Sequence, residues 1–107
     1  MHHLITPDGR YFVHNGRLSR CSNPFLKETE KTQFVRELTD ARRAVKSAKA
    51  KDDAIALARA RQNVNKAKIA LGERGRTWWD DELDYNREFV EDTPYIEWWK
   101  RELRKEI

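Results

Sequence analysis

A single cysteine, Cys21, stands in a chain of 107 residues; it excludes an internal disulfide and suits a reducing compartment. No apolar run is long enough to cross a membrane or serve as a signal peptide, and the N-terminus reaches Asp8 almost at once. A cytoplasmic protein is the expectation. Between Phe34 and Trp78 the chain has no aromatic residue, so no large ring can build a core there. Glycine and proline are absent from residues 28–71, so nothing in that stretch interrupts a helix.

Signatures of known chemistry are missing as well. There is no Gly-rich phosphate loop, no nucleophile elbow and no Cys–His pair with an orienting third group. No zinc-finger pattern, helix-turn-helix turn or RNA-binding aromatic platform is found. The expectation is a protein that is not an enzyme, with no cofactor, no metal and no small-molecule substrate. Asp80, Asp84 and Glu88 fall four apart and would present three carboxylates on one face of a helix, but no Ca²⁺-loop pattern accompanies them. An acidic first turn that complements a helix dipole and faces the basic body is the favoured explanation. His2, His3, His14 and Cys21 match no standard zinc spacing.

What the chain does have is a strong helical period. Phe34, Leu38, Ala41, Val45 and Ala48 step by four, three, four, three, and Leu57, Ala60, Val64, Ala67 and Leu71 continue a 3.5-residue repeat. That is the seam spacing of helices packed as a coiled coil. It predicts two helices over residues 28–72, folded back on each other at Lys51-Asp52-Asp53, where an Asp caps the second helix. Gly72 supplies its C-terminal stop. Each helix of roughly 20 residues would be about 30 Å long.

Residues 4–23 read as a β-hairpin, because Arg10–His14 and Arg17–Cys21 flank Asn15-Gly16, a strong two-residue turn signal. Pairing His14 with Arg17 sets Val13 opposite Leu18 and Phe12 opposite Ser19, and turns Tyr11, Val13 and Leu18 to one face. Arg10, His14, Arg17 and Arg20 are expected in solvent. Residues 76–107 form an acidic, aromatic-rich segment. A short helix is expected from Asp80 to about Val90, with Leu83, Asn86, Phe89 and Val90 on one face. Thr93-Pro94 then starts a last helix with Ile96, Trp99 and Leu103 at helical spacing. The whole is expected to be one domain, mainly α (α+β), with its aromatic core where ribbon, tail and the open end of the hairpin meet. The closed end, about residues 42–60, should be a thin arm.

Two resemblances accompany this reading. Pro7-Asp8-Gly9-Arg10-Tyr11 before a strand looks like the opening of a blade in Tol-type β-propellers, but it covers about a dozen residues of a mostly helical chain. A wider match runs through Pro7-Asp8-Gly9-Arg10-Tyr11, Gly16-Arg17-Leu18, Asn23-Pro24, Ala41-Arg42-Arg43-Ala44-Val45, Ala70-Leu71-Gly72-Glu73-Arg74-Gly75 and Trp78-Trp79. These runs resemble a family of small bacterial proteins with no established activity. The resemblance implies the fold and carries over no site.

Charge points to partners. Residues 1–76 carry 17 Lys/Arg against 8 Asp/Glu, and residues 77–107 carry 5 against 10. The simplest expectation is an acidic tail folded against the basic body, which lowers the positive field left for outside partners. The favoured function is a small interaction or structural module that self-associates, or takes a helical partner protein, through the arm. Val45, Ala48, Ala56, Leu57 and Ala60 would form the contact, with Trp98 or Trp99 as anchor. The alternative is a nucleic-acid binder without sequence preference, using the basic tip through Arg42, Arg43, Lys46, Lys49, Arg59 and Arg61.

Overall fold

The computed structural model describes residues 3–105. The fold is mainly α (α+β): a two-stranded antiparallel ribbon, β1 Tyr11–His14 and β2 Arg17–Arg20, followed by α1 Glu28–Ala50, α2 Ala54–Leu71 and α3 Ile96–Lys105. The chain forms two compact units, one of Met1–Cys21 with Trp79–Ile107 and the other of Ser22–Trp78.

In the first unit the turn sets the register. Asn15 and Gly16 both take positive φ, 53° and 74°, the geometry a two-residue turn needs to match strand twist. His14 then faces Arg17, Val13 faces Leu18 and Phe12 faces Ser19, as the sequence predicts. Tyr11, Val13 and Leu18 are buried. The fourth inward position is Arg20, only 4% exposed, which corrects the expectation that it lies in solvent. Strand alternation puts it on the inner face, two residues beyond Leu18 and opposite Tyr11, and Asp84 and Trp79 cover it there.

Two strands alone are marginal, and both edges of this ribbon are covered. Val13 N–H donates to Leu4 O at 2.8 Å and Thr6 N–H to Tyr11 O at 2.9 Å on one side. On the other, Leu18 N–H donates to Glu88 O at 2.9 Å, Arg87 N–H to Leu18 O at 2.7 Å and Val90 N–H to Gly16 O at 3.0 Å. The tail therefore works as edge cover, and the helix expected from Asp80 to Val90 does not form. Asp81 Oδ1 accepts from Leu83 N–H at 3.1 Å and Asp84 Oδ1 from Asn86 N–H at 3.0 Å, local turns that compete with a helical ladder. Glu82 and Arg87 sit at positive φ, and a single 3₁₀ turn, Val90–Asp92, is all the helical structure there. Val90 is fully buried while Leu83 and Phe89 are exposed, so the expected shared face is absent. The last helix begins at Ile96 rather than at Pro94, and Thr93 instead ends the 3₁₀ turn, its hydroxyl accepting from Tyr95 N–H at 3.3 Å and donating to Val90 O at 2.7 Å.

In the second unit α1 and α2 form the predicted antiparallel hairpin. Every predicted seam position is buried or half-buried, and its flanking helical residues are mostly exposed. Leu38, Ala67 and Leu71 make the base of the seam, with Leu26, Phe34 and Val64 packed on them. Asp53 caps α2 by accepting from Ala56 N–H at 3.0 Å, and Gly72 ends it in the left-handed region at φ 82°. Glu30 closes the start of α1, its carboxylate accepting from Lys27 N–H at 3.3 Å. Phe25 stays 79% exposed, with its ring edge-to-face on Trp78 at 6.0 Å.

Candidate interaction surfaces

The first unit concentrates aromatic rings and ion pairs around Tyr11. Its ring meets Trp79 at 5.4 Å, Tyr95 at 5.8 Å and Tyr85 at 6.4 Å. Its hydroxyl accepts from Tyr85 N–H at 2.8 Å and donates to Asp84 at 3.3 Å. Buried Arg20 pairs with Asp84 at 2.6 Å, and Arg10 pairs with Asp81 at 2.8 Å. The guanidinium carbons of Arg10 and Arg20 lie 4.8 and 5.6 Å from the centre of the Trp79 ring, favourable cation–π placements. Arg17 packs on Phe89 at 4.0 Å and donates to Arg87 O. Each ribbon arginine is thus engaged by the tail. The cluster holds the unit together.

These contacts set how the unit responds to pH. Burial would raise the Asp8 carboxyl, but hydrogen bonds from the Tyr95 and Thr6 hydroxyls and the Arg10 N–H, with the Arg10 charge, hold it below the usual range. The hydrogen bond from Arg10 lowers Asp81 likewise. Depressed carboxyls stabilise the fold above the unfolded carboxylate pKa of about 4, and that stability is lost as pH falls through the folded values. Burial pushes the Tyr11 phenol up to about 12 and also raises Tyr95, which donates to Asp8 at 2.6 Å. Raised phenols stabilise fully below the unfolded tyrosine pKa of about 10, and that contribution fades as pH climbs through the folded values. We expect unfolding midpoints to be flat from about pH 5 to 9 and to drop on both sides. Tyr95→Phe should narrow the alkaline drop, and midpoints indifferent to that change would remove this account.

The hairpin offers surfaces of a different kind, organised by side of the seam. Residues just after a seam position lie on one side of the helix pair, and residues just before it lie on the other. On α1 the first set includes Arg42, Lys46 and Lys49, and on α2 it includes Arg61. Arg42, Arg61 and Arg74 line a shallow groove of about 390 Å³ floored by Val45 and Val64. Among the described residues, no hydrogen bond or ion pair engages the side chains of Arg42, Lys46, Lys49 or Arg61. The opposite side is built from small residues. Ala41, Ala44 and Ala67 line one groove, with Glu37, Asp40 and Lys66 on its wall. Ala56 and Ala60 line a second beside Ile55, Arg59 and Asp53. Ala44 and Asn63 belong to both, so the two run together.

The predicted contact residues divide accordingly. Ala48 and Ala60 are 4% and 3% exposed, held within the hairpin's own seam. Val45, Ala56 and Leu57 are half-buried, and so are Trp98 and Trp99. Those two rings lie 6.3 Å apart on α3, where Leu103 is exposed. The six cations do not make one patch. Arg42, Lys46, Lys49 and Arg61 share a side, Arg59 lines the alanine groove, and Arg43, two residues past a seam position, points to the back of α1. Sequence reasoning grouped them by nearness to the turn and missed Ala44, Asn63, Glu37 and Asp40. Asking which side of the seam each residue falls on would have found them.

Among the described residues no group of three or more His, Cys, Asp or Glu side chains is placed to hold a metal ion. The Asp80, Asp84 and Glu88 set is dispersed by the missing helix, and His2 lies outside the described residues. No described helix is long and apolar enough to cross a membrane. No protein-family model, curated protein or solved structure matches this chain.

Proposed function

We propose that this chain is a small, non-catalytic interaction module whose hairpin pairs with a second copy of itself through the alanine-lined side. The observation that carries this reading is the continuous small-residue groove centred on Ala44 and Asn63, with Glu37 and Asp40 outnumbering Lys66 in one half and Arg59 beside Asp53 in the other. Small side chains let helices approach closely, so facing grooves can interdigitate at the 8–10 Å spacing of packed helices. A two-fold axis beside Ala44 would set Glu37 and Asp40 of one copy against Arg59 of the next, and the reverse pair follows by symmetry. Ile55, 74% exposed on its own hairpin, would gain cover from the second copy. Its burial adds about 1.5–3 kcal/mol per copy.

The test is a charge swap read by solution mass. Parent protein should pass from monomer to dimer as concentration rises in sedimentation velocity. Ala44→Arg, which fills the centre of the groove, should leave a monomer of unchanged helicity. Arg59→Glu and Glu37→Lys/Asp40→Lys should each weaken the dimer, and mixing those two variants should restore a heterodimer. A parent that stays monomeric at high micromolar concentration refutes the reading.

A further inference from the structure

We infer that the opposite side of the hairpin, through Arg42, Lys46, Lys49 and Arg61, binds the phosphate backbone of a nucleic-acid duplex. Of the acidic tail, Asp81 and Asp84 are engaged by ribbon arginines in the first unit. The second unit keeps 14 Lys/Arg against 7 Asp/Glu, a net +7, and these four cations have no ionic partner among the described residues. They sit on rigid helix rather than on loops, so no backbone has to be ordered on binding, only the side chains themselves.

The chemistry of the surface selects the ligand. Its only apolar floor is Val45 and Val64, already half-buried, so an incoming amphipathic helix would gain little area there. Charge is what the face has to offer. It lies far from any ring in sequence, since residues 35–77 have no aromatic, so unstacked bases find no platform of the kind that single-strand binders use. A duplex needs no such platform, because its bases stay stacked and its phosphates are outermost. From Arg42 to Lys49 the cations extend over about 10 Å of helix, a length along which a duplex presents roughly six phosphate charges. Four contacts imply a log–log salt slope of about −3.6. The alanine-lined side is not involved, so this face stays open whether or not the hairpin pairs with a second copy.

Fluorescence anisotropy with the full chain tests the inference, using a labelled duplex DNA, the matching single strand and poly-glutamate as probes. The duplex should bind in low salt with a slope near −3.6, and more tightly than the single strand. Arg42→Glu/Lys46→Glu should flatten that slope by about 2. Arg36→Glu/Arg43→Glu, an equal charge change on the back of α1, should leave it unaltered, with helicity checked for both. Absence of duplex binding in low salt overturns the inference. So does an equal loss in both variants, which would mean diffuse attraction, and so does poly-glutamate or single strand binding as well as the duplex.

Discussion

Tyr11→Ala should remove about 3–5 kcal/mol of stability, a large part of the 5–15 kcal/mol that holds a small domain folded. The reason is position rather than size alone. Tyr11 is completely buried, and three aromatic rings meet its ring within 6.4 Å. Removing it opens a void between the ribbon and the tail that cover one another, and neither is stable alone. Its hydroxyl adds a separable part. Tyr11→Phe keeps the ring but strips the acceptor from Tyr85 N–H and the donor from Asp84, at about 1–2 kcal/mol. Urea unfolding followed by near-ultraviolet circular dichroism should rank parent above Phe and Phe well above Ala. An Ala variant within 1 kcal/mol of the parent, at the scale expected of an exposed substitution, would show that the rings repack without it.

The second large effect belongs to Gly72. It ends α2 at φ 82°, where a side chain costs about 1–2 kcal/mol. An added Cβ would also lie 2.9 Å from Asn23 Cβ and 3.1 Å from Trp78 Cδ1. Asn23 cannot simply withdraw, because its N–H donates to Leu71 O at 2.7 Å. Overpacking of this kind adds about 1–3 kcal/mol, so Gly72→Ala should cost about 3 kcal/mol in all. Gly16→Ala separates the two contributions. Gly16 has a similar φ of 74°, but its Cβ would meet nothing within 4 Å, leaving the backbone cost alone. Equal losses from the two substitutions would mean that the Asn23 contact gives way freely.

The features legible in the sequence are those whose cause is local. The hairpin seam is a matter of apolar spacing within each helix, the caps at Asp53 and Gly72 satisfy backbone groups a few residues away, and Asn15-Gly16 sets the ribbon register through its own dihedrals. Pattern alone also indicated that Tyr11, Val13 and Leu18 point inward. The alanine groove was legible in principle, since the side of the seam follows from position along the helix. Tertiary structure decided whatever depended on a distant partner. Arg20 is buried because Asp84 and Trp79 come to it across the tail. Residues 80–89 are not helical because Asp81 and Asp84 bond their own backbone while Arg87 and Glu88 serve as edge cover for β2. An acidic run with helical spacing is compatible with both outcomes, and only the ribbon edge it meets selects one. The same holds for charge: the count gives the excess of cations, but which arginines pair with acids and which remain open depends on contacts between residues far apart in the chain.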